Sequence, residues 1–297
     1  MKLLLTGSDG FVGSTLQRQR TCIALEDEQG AIDIRDADRL RRAVARIAPD
    51  AVIHLAAQSF VPASFANPRE TYDINFFGTL NLLDALKEAK FPGRLLFVGS
   101  GDCYGAVAPD ELPIDEGHPL RPRSPYAVSK AAAEVLCYQW SQSAQFEIVM
   151  TRSFNHIGPG QSDNFVIADF ARQIVEIRKR RQAPVIRTGD IDVTRDFTDV
   201  RDVAQAYLLL LAQGKAGEVY NVCSGLEHSI RDLLMRLLQL TGVDATIHAD
   251  PARLRPTELR RICGSPQKLK RDTGWAPQYP LASSLRDIVN DWETRLS

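Results

Sequence analysis

The segment TGSDGFVG at residues 6–13 stands directly behind the apolar run Leu3–Leu5 and ahead of a stretch of helical character, so the chain opens on a strand, a glycine turn and a helix. Few folds begin this way. A glycine in such a turn adopts positive φ and lets the backbone approach a diphosphate, while the helix start offers unpaired N–H donors and the positive end of its dipole. Gly7, Gly10 and Gly13 are spaced three and three, a departure from the G-x-G-x-x-G dinucleotide fingerprint. The turn alone is compatible with an ordinary loop; its place behind an N-terminal strand marks it as a phosphate loop.

The rest of the first half keeps the same rhythm. Apolar runs at 2–6, 51–55, 94–98 and 147–151 have the length and composition of buried parallel strands, and 22–25 supplies a short second strand. Helical patterns over 36–47, 70–89 and 125–142 lie between them. Alternation of this kind predicts βαβ units in a doubly wound parallel sheet. Beyond GPGQSDN at 158–164 the rhythm changes to short strands at 185–188 and 218–222 with helices at 199–212, 229–241 and 281–295.

Tyr126 and Lys130 in SPYAVSKAAAEVL share one face of a predicted helix, because residues four apart are neighbours there. A lysine ammonium near a phenol favours the phenolate and brings its proton transfer toward working pH. Composition excludes other classes. With 36 basic against 37 acidic residues in 297, nothing points to nucleic acid or an anionic membrane. The cysteines at 22, 103, 137, 223 and 263 make no C-x-x-C and, with the histidines, no metal-ligand spacing, which fits a reducing compartment and no metal. The chain has no apolar run near membrane-spanning length and no leader pattern, so a cytoplasmic location is expected.

Taken together, the T-G-x-x-G-x-x-G loop and the later Y-x-x-x-K pair resemble the extended short-chain dehydrogenase/reductase family across essentially the whole chain. The resemblance implies a Rossmann-like α/β fold: a dinucleotide-binding domain over 1–156 with a return segment at about 198–223, and a smaller interleaved substrate-binding domain over 157–297. It also implies NADH or NADPH as cofactor, held by Gly7, Gly10, Phe11, Val12, Gly13, Asp33, Ile34, Leu55, Ala56, Ala57, Asn75, Lys130 and Phe154. Ser100, four before Tyr104 in GSGDCYG, takes the place of the family's catalytic Ser or Thr beside Tyr126 and Lys130. Helices 70–89 and 125–142, with Leu80, Leu83, Leu136, Tyr138 and Trp140 on several faces, match the family's homodimer seam.

The second half is similar to the branch of that family that acts on GDP-sugars, through residues 152–174, 189–202, 217–225 and 250–258. That likeness names Ser100, Asp102, Tyr126, Asn155, Val166, Arg195, Arg255 and Glu258 as substrate contacts, the arginines because guanidinium pairs with diphosphate. The expected activity is reduction of the C4 ketone of GDP-4-dehydro-6-deoxy-D-mannose to GDP-D-rhamnose. A GDP-mannose 4,6-dehydratase, or a bifunctional enzyme, is the near rival. Dehydratases carry glutamate at the position of Asp102, and the shorter acid reaches C5 and C6 poorly. Fold alone would also permit a catalytically silent nucleotide-sensing or scaffolding protein, against which Ser100, Tyr126 and Lys130 all speak. A UDP-sugar epimerase is disfavoured because residues 250–258 do not resemble its uridine pocket. Glu26, Asp27 and Glu28 behind the second strand, with no cation until Arg35, point toward NADH unless Arg18 or Arg20 folds back.

Overall fold

The structure is a computed structural model that describes residues 1–253 and 259–297. The first half contains β1 (Leu3–Thr6), β2 (Ile23–Ala24), the hairpin β3 (Glu26–Asp27) and β4 (Gly30–Ala31), β5 (Ala51–His54), β6 (Arg94–Ser100) and β7 (Glu147–Ser153). Its helices are α1 (Phe11–Gln19), α2 (Ala37–Ile47), α3 (Val61–Ala66), α4 (Pro68–Tyr72), α5 (Gly78–Glu88) and α6 (Pro125–Ser141). The second half contains β8 (Asn155–Ile157), α7 (Val166–Arg178), β9 (Val185–Thr188), β10 (Thr194–Asp199), α8 (Val200–Gln213), β11 (Val219–Val222), β12 (Glu227–Ser229), α9 (Ile230–Thr241), β13 (Thr246–Ala249), α10 (Gln267–Thr273) and α11 (Leu281–Arg295).

The main sheet runs in the order β11-β7-β6-β5-β1-β2, every pair parallel. Leu4, Val52, Leu95 and Ile148 pack against α2, α5 and α6 on one face; Leu3, Leu5, Ile53, Leu96 and Val149 meet α1 and α8 on the other. Strands buried on both faces need apolar residues at successive positions, which is why they read as unbroken runs. The chain leaves β1 outward to β2 through α1 and then returns to β5 on the opposite side of β1. The strand order reverses there, so a crevice opens beyond the carboxyl ends of β1 and β5.

A second core lies in the other half, where α7, α9 and α11 bury Phe170, Ile174, Leu233, Leu237 and Ile288 against Ile186, Ile191 and Phe197. The three-stranded sheet β12-β10-β8 joins the two halves, since β10 continues into α8 and the chain returns through β11 to the main sheet. In the basic run 178–181, Lys179 donates to Glu293 O at 3.1 Å and Arg181 to Leu296 O at 2.6 Å, placing cations at the carbonyl end of α11. Among the described residues no helix is long and apolar enough to cross a membrane.

Two expectations change. The helix over 70–89 is three pieces, α4 and α5 joined by a π-helical turn over Asp73–Phe77. Leu83 belongs to the core, with Leu136 and Trp140 packed beside it, while Tyr138 is exposed. The largest surprise is ionic. Arg152 on β7 and Glu134 on α6 form a buried bidentate pair at 2.7 and 2.9 Å, and Arg152 also donates to Tyr104 Oη at 2.8 Å and Glu116 O at 3.0 Å. The pair clamps α6 and the 104–116 segment to the strand between them. Glu134→Ala leaves that guanidinium buried and uncompensated, so it is expected to lower unfolding free energy by roughly 3–5 kcal/mol, while the double replacement Arg152→Met with Glu134→Leu costs far less. Urea unfolding checks this; equal losses in both variants would contradict it.

Candidate active site

The crevice at the strand ends is a cavity of about 610 Å³. Its floor on one side is the glycine turn. Gly7 sits at φ 69°, and a Cβ there would stand 2.8 Å from Ala56 N; one on Gly13 would stand 2.3 Å from Gly7 O. The turn is therefore folded tightly against β5, and α1 starts at its rim with Gly10 as N-cap. A nicotinamide dinucleotide fits such a cradle, because the backbone is bare where its diphosphate would approach and the amides of Phe11 and Val12 begin a helix. Gly7, Gly10, Phe11, Val12, Gly13, Leu55, Ala56, Ala57, Lys130 and Phe154 all line the cavity.

Asp33, Ile34 and Asn75 do not line it. Ile34 is buried against Gly78 in the first core, and the Asp33 carboxylate is held by Arg35 at 2.5 Å. Asn75 is buried with every amide group engaged: Oδ1 accepts from Gln58 N at 2.8 Å, and Nδ2 donates to Gln58 O at 3.0 Å and Ser129 Oγ at 2.9 Å. It braces the turn after β5. Residues 26–28 do not line the cavity either. Glu26 and Asp27 belong to the hairpin, where Arg39 grips the Asp27 carboxylate at 2.6 and 2.9 Å and Arg46 bonds Glu26 O. Arg18 is turned to Thr15 Oγ1 at 3.0 Å.

The opposite wall carries the chemistry. Parallel pairing of β6 with β7 sets Ser100 beside Ser153 at the strand ends. Ser100 then caps the short helical turn over Gly101–Tyr104, accepting from Asp102 N at 3.2 Å, so Asp102 is presented next to it. Ser124 caps α6 by accepting from Ala127 N at 3.1 Å, and Tyr126 and Lys130 follow on its first turns. Ser100, Asp102, Tyr126 and Lys130 thus line one cavity.

Their electrostatics differ from the simple pairing of phenol and ammonium. Burial raises the Tyr126 phenol above its ordinary value; the Asp102 carboxylate adds to the rise and a hydrogen bond from Ser100 opposes it. The phenol therefore holds its proton at neutral pH. Lys130 is buried, donates to Val98 O at 2.8 Å and lies over the Phe97 ring; burial pulls it down to about 8, against a weaker opposing effect of the Cys103 and Cys137 thiols. Cys103 is sealed in the interior, its thiol pushed up to about 12 mainly by burial.

Asn155 and Arg195 reach the same cavity from β8 and β10, Arg195 with its Nη1 on Thr194 O at 2.7 Å. Val166 is the first residue of α7 and packs on the second core. Arg255 and Glu258 lie outside the described residues. The cavity also includes His156, Arg123, Phe60 and Phe165, which sequence reasoning missed. The His156 ring stacks on Phe11 at 5.8 Å, and Phe60 meets Phe165 edge-on at 6.5 Å, linking the two halves across the cleft. Arg123, directly before the Ser124 cap, and Phe165, directly before α7, were signalled only by adjacency to helix starts.

Known proteins share this arrangement. A family model described as GDP-mannose 4,6 dehydratase matches residues 25–288. GDP-6-deoxy-D-mannose reductase of Pseudomonas aeruginosa is 49% identical, covering 99% of this chain and 98% of its own. The solved structure of RMD from Pseudomonas aeruginosa complexed with NADPH matches with TM-score 0.92 at 46% identity, covering 99% of this chain and 100% of that one. A UDP-glucose 4-epimerase of Thermus thermophilus in complex with NAD matches with TM-score 0.86 at 30% identity, over 98% and 99% of the two chains.

Two outcomes are expected. Tyr126→Phe keeps the fold by circular dichroism while turnover drops by about two to four orders of magnitude; near-normal turnover would remove Tyr126 from the chemistry. His54, buried between Thr6 and Thr79, has its imidazole pulled down to about 3, chiefly by burial and then by the Lys130 charge. Below its ordinary value of 6.5 the unfolded chain takes up a proton that the folded chain refuses, so stability is lost as pH falls from 6.5 toward about 3. The slope reaches at most about 1.4 kcal/mol per pH unit. Urea midpoints over that window should fall less steeply for His54→Gln; an unchanged slope would contradict the assignment.

Proposed function

The chain belongs to the family described as GDP-mannose 4,6 dehydratase, and from that premise we propose that it reduces the C4 ketone of GDP-4-dehydro-6-deoxy-D-mannose to GDP-D-rhamnose at the expense of NADH or NADPH. The observation that carries this reading is the meeting of the phosphate turn with Ser100, Tyr126 and Lys130 in one cavity. A nicotinamide dinucleotide held with its diphosphate at the turn would supply the hydride. Ser100 donates to the ketone oxygen, and Tyr126, a phenol that carries its proton at neutral pH, gives that proton to the same oxygen as negative charge builds. Lys130, one helical turn after Tyr126 and fixed by Val98 O of β6, holds a positive charge in the same cavity and would bond the cofactor ribose. Asn155 and Arg195 enter from the second half as donors to the diphosphate and sugar.

Asp102 decides between reduction and elimination. It lines the cavity close enough to Tyr126 to raise the phenol, yet its carboxylate is one methylene shorter than glutamate. Reduction is the principal reaction, and elimination from GDP-mannose is the alternative that the shorter acid disfavours. We further infer a division into a dinucleotide-binding part over 1–156, with the return through 198–223, and a substrate part over 157–297; the first and third cores against the second support it. Leu269 and Trp275 of the later segment pack with the dinucleotide side, so that boundary is interleaved. The exposed Phe77, Val128, Val135 and Tyr138 on the α5 and α6 side, beside an apolar groove lined by Tyr72, Phe76 and Ala132, support a homodimer. Five free cysteines, four of them buried, support a cytoplasmic location.

The test supplies enzymatically made GDP-4-dehydro-6-deoxy-D-mannose with NADPH and, separately, NADH, and identifies the sugar nucleotide by NMR. Coenzyme oxidation matched by GDP-D-rhamnose is expected; consumption of GDP-mannose without ketone reduction would assign the chain to elimination instead. Asp102→Glu is expected to raise elimination from GDP-mannose. Light scattering at micromolar concentration should give the mass of a dimer.

A further inference from the structure

A set of buried polar side chains lies behind the cavity and takes no part in the reaction described above. Thr6, His54, Asn75, Thr79 and Ser129 are each at most 1% exposed. Their hydrogen bonds form one continuous path whose directions can be assigned. Thr79 Oγ1 donates to Asn75 O at 2.7 Å, so toward His54 Nε2, 2.9 Å away, it can only accept. Nε2 therefore carries the proton, and Nδ1 is the acceptor of the Thr6 hydroxyl at 2.7 Å. Thr6 Oγ1 in turn accepts from Leu55 N at 3.2 Å and Ala56 N at 3.1 Å. At the far end Asn75 Nδ2 donates to Ser129 Oγ at 2.9 Å, and Ser129 Oγ donates to Tyr126 O at 2.7 Å.

One end of this path is the turn that Gly7 packs against, and the other is the main chain of Tyr126. It crosses the π-helical turn over Asp73–Phe77, which carries Asn75. It does not conduct protons, because it ends on the carbonyls of Asn75 and Tyr126. What it can do is set distance. A buried chain with every donor and acceptor satisfied resists displacement, since any slip leaves a polar group unpaired away from water.

We propose that His54 and Thr79 are positioning residues that fix the spacing between the phosphate-loop turn and the helix start bearing Tyr126, so that cofactor binding and proton transfer stay in register. The proposal rests on the reductase reading only for its turnover arm; cofactor affinity is measured without substrate.

Thr79→Val preserves shape and β-branching while removing the hydroxyl, which strands His54 Nε2–H. Calorimetric titration with NADPH should show a dissociation constant raised about tenfold, in line with a single unmade buried hydrogen bond. The kcat for ketone reduction should fall about tenfold with KM for the GDP-sugar changed less than about twofold, and Thr79→Ser should restore both values. A Thr79→Val protein that binds NADPH and turns over as the parent does overturns the proposal. So does an equal loss in GDP-sugar KM, or a Thr79→Ser protein no better than Thr79→Val, since either means general loosening. Should Thr79→Val not fold, His54→Phe, which keeps a ring but removes both nitrogens and so breaks the path at Thr6 and at Thr79, is titrated in its place; unchanged NADPH affinity together with unchanged kcat there would overturn it equally. If the parent reduces no ketone, the reductase reading fails while the NADPH titrations still decide this proposal.

Discussion

Everything in the site depends on parallel strands that are buried on both faces and end at one edge. Burial on both faces requires helices on each side, and the crossovers that carry those helices deliver a loop to the carboxyl end of every strand. β1 brings the glycine turn, β5 the segment 55–61, β6 the Ser100 cap and Asp102, and β7 the Ser153–Asn155 corner. The registers of β1 on β5 and β6 on β7 hold those ends level, so four distant segments share one cavity without any of them having to be long.

Burial also shifts the proton affinities there. It raises the Tyr126 phenol above its ordinary value and brings the Lys130 ammonium down to about 8. A tyrosine that holds its proton at neutral pH is a donor, which suits the reducing direction, where the ketone oxygen acquires charge and must be quenched. The ammonium is anchored on Val98 O at 2.8 Å, which fixes the place of its charge in the cavity wall. The phenol is raised chiefly by burial and then by the Asp102 carboxylate, with the Ser100 hydrogen bond opposing them.

Much of this was legible in the sequence because its physical causes are local. The runs at 51–54 and 94–98 read as strands since both faces demand apolar residues, and Ser124, Pro125 and the Tyr126–Lys130 spacing mark the start of α6. The π-helical turn at 73–77 left no local signal and turned a single helical pattern into three pieces. Helix α7 was hidden because Asp163, Asn164 and Phe165 blur its entry. Asp33, Ile34 and Asn75 were matched by motif position alone, and the partners they have in the structure are set by the fold: Gly78 receives Ile34, Arg35 takes Asp33, and Gln58 with Ser129 takes Asn75. The ion pair of Arg152 with Glu134 joins residues 18 apart in sequence, on β7 and α6, a pairing invisible to any window.

The central claim is that hydride reaches C4 of the sugar while Tyr126 protonates the oxygen on that carbon. It is tested most directly by reducing GDP-4-dehydro-6-deoxy-D-mannose with nicotinamide cofactor deuterated at the transferring position and locating the label by NMR. Deuterium confined to C4 of the GDP-deoxyhexose is the predicted result. Deuterium at C6, or a reduced sugar carrying none, would contradict it.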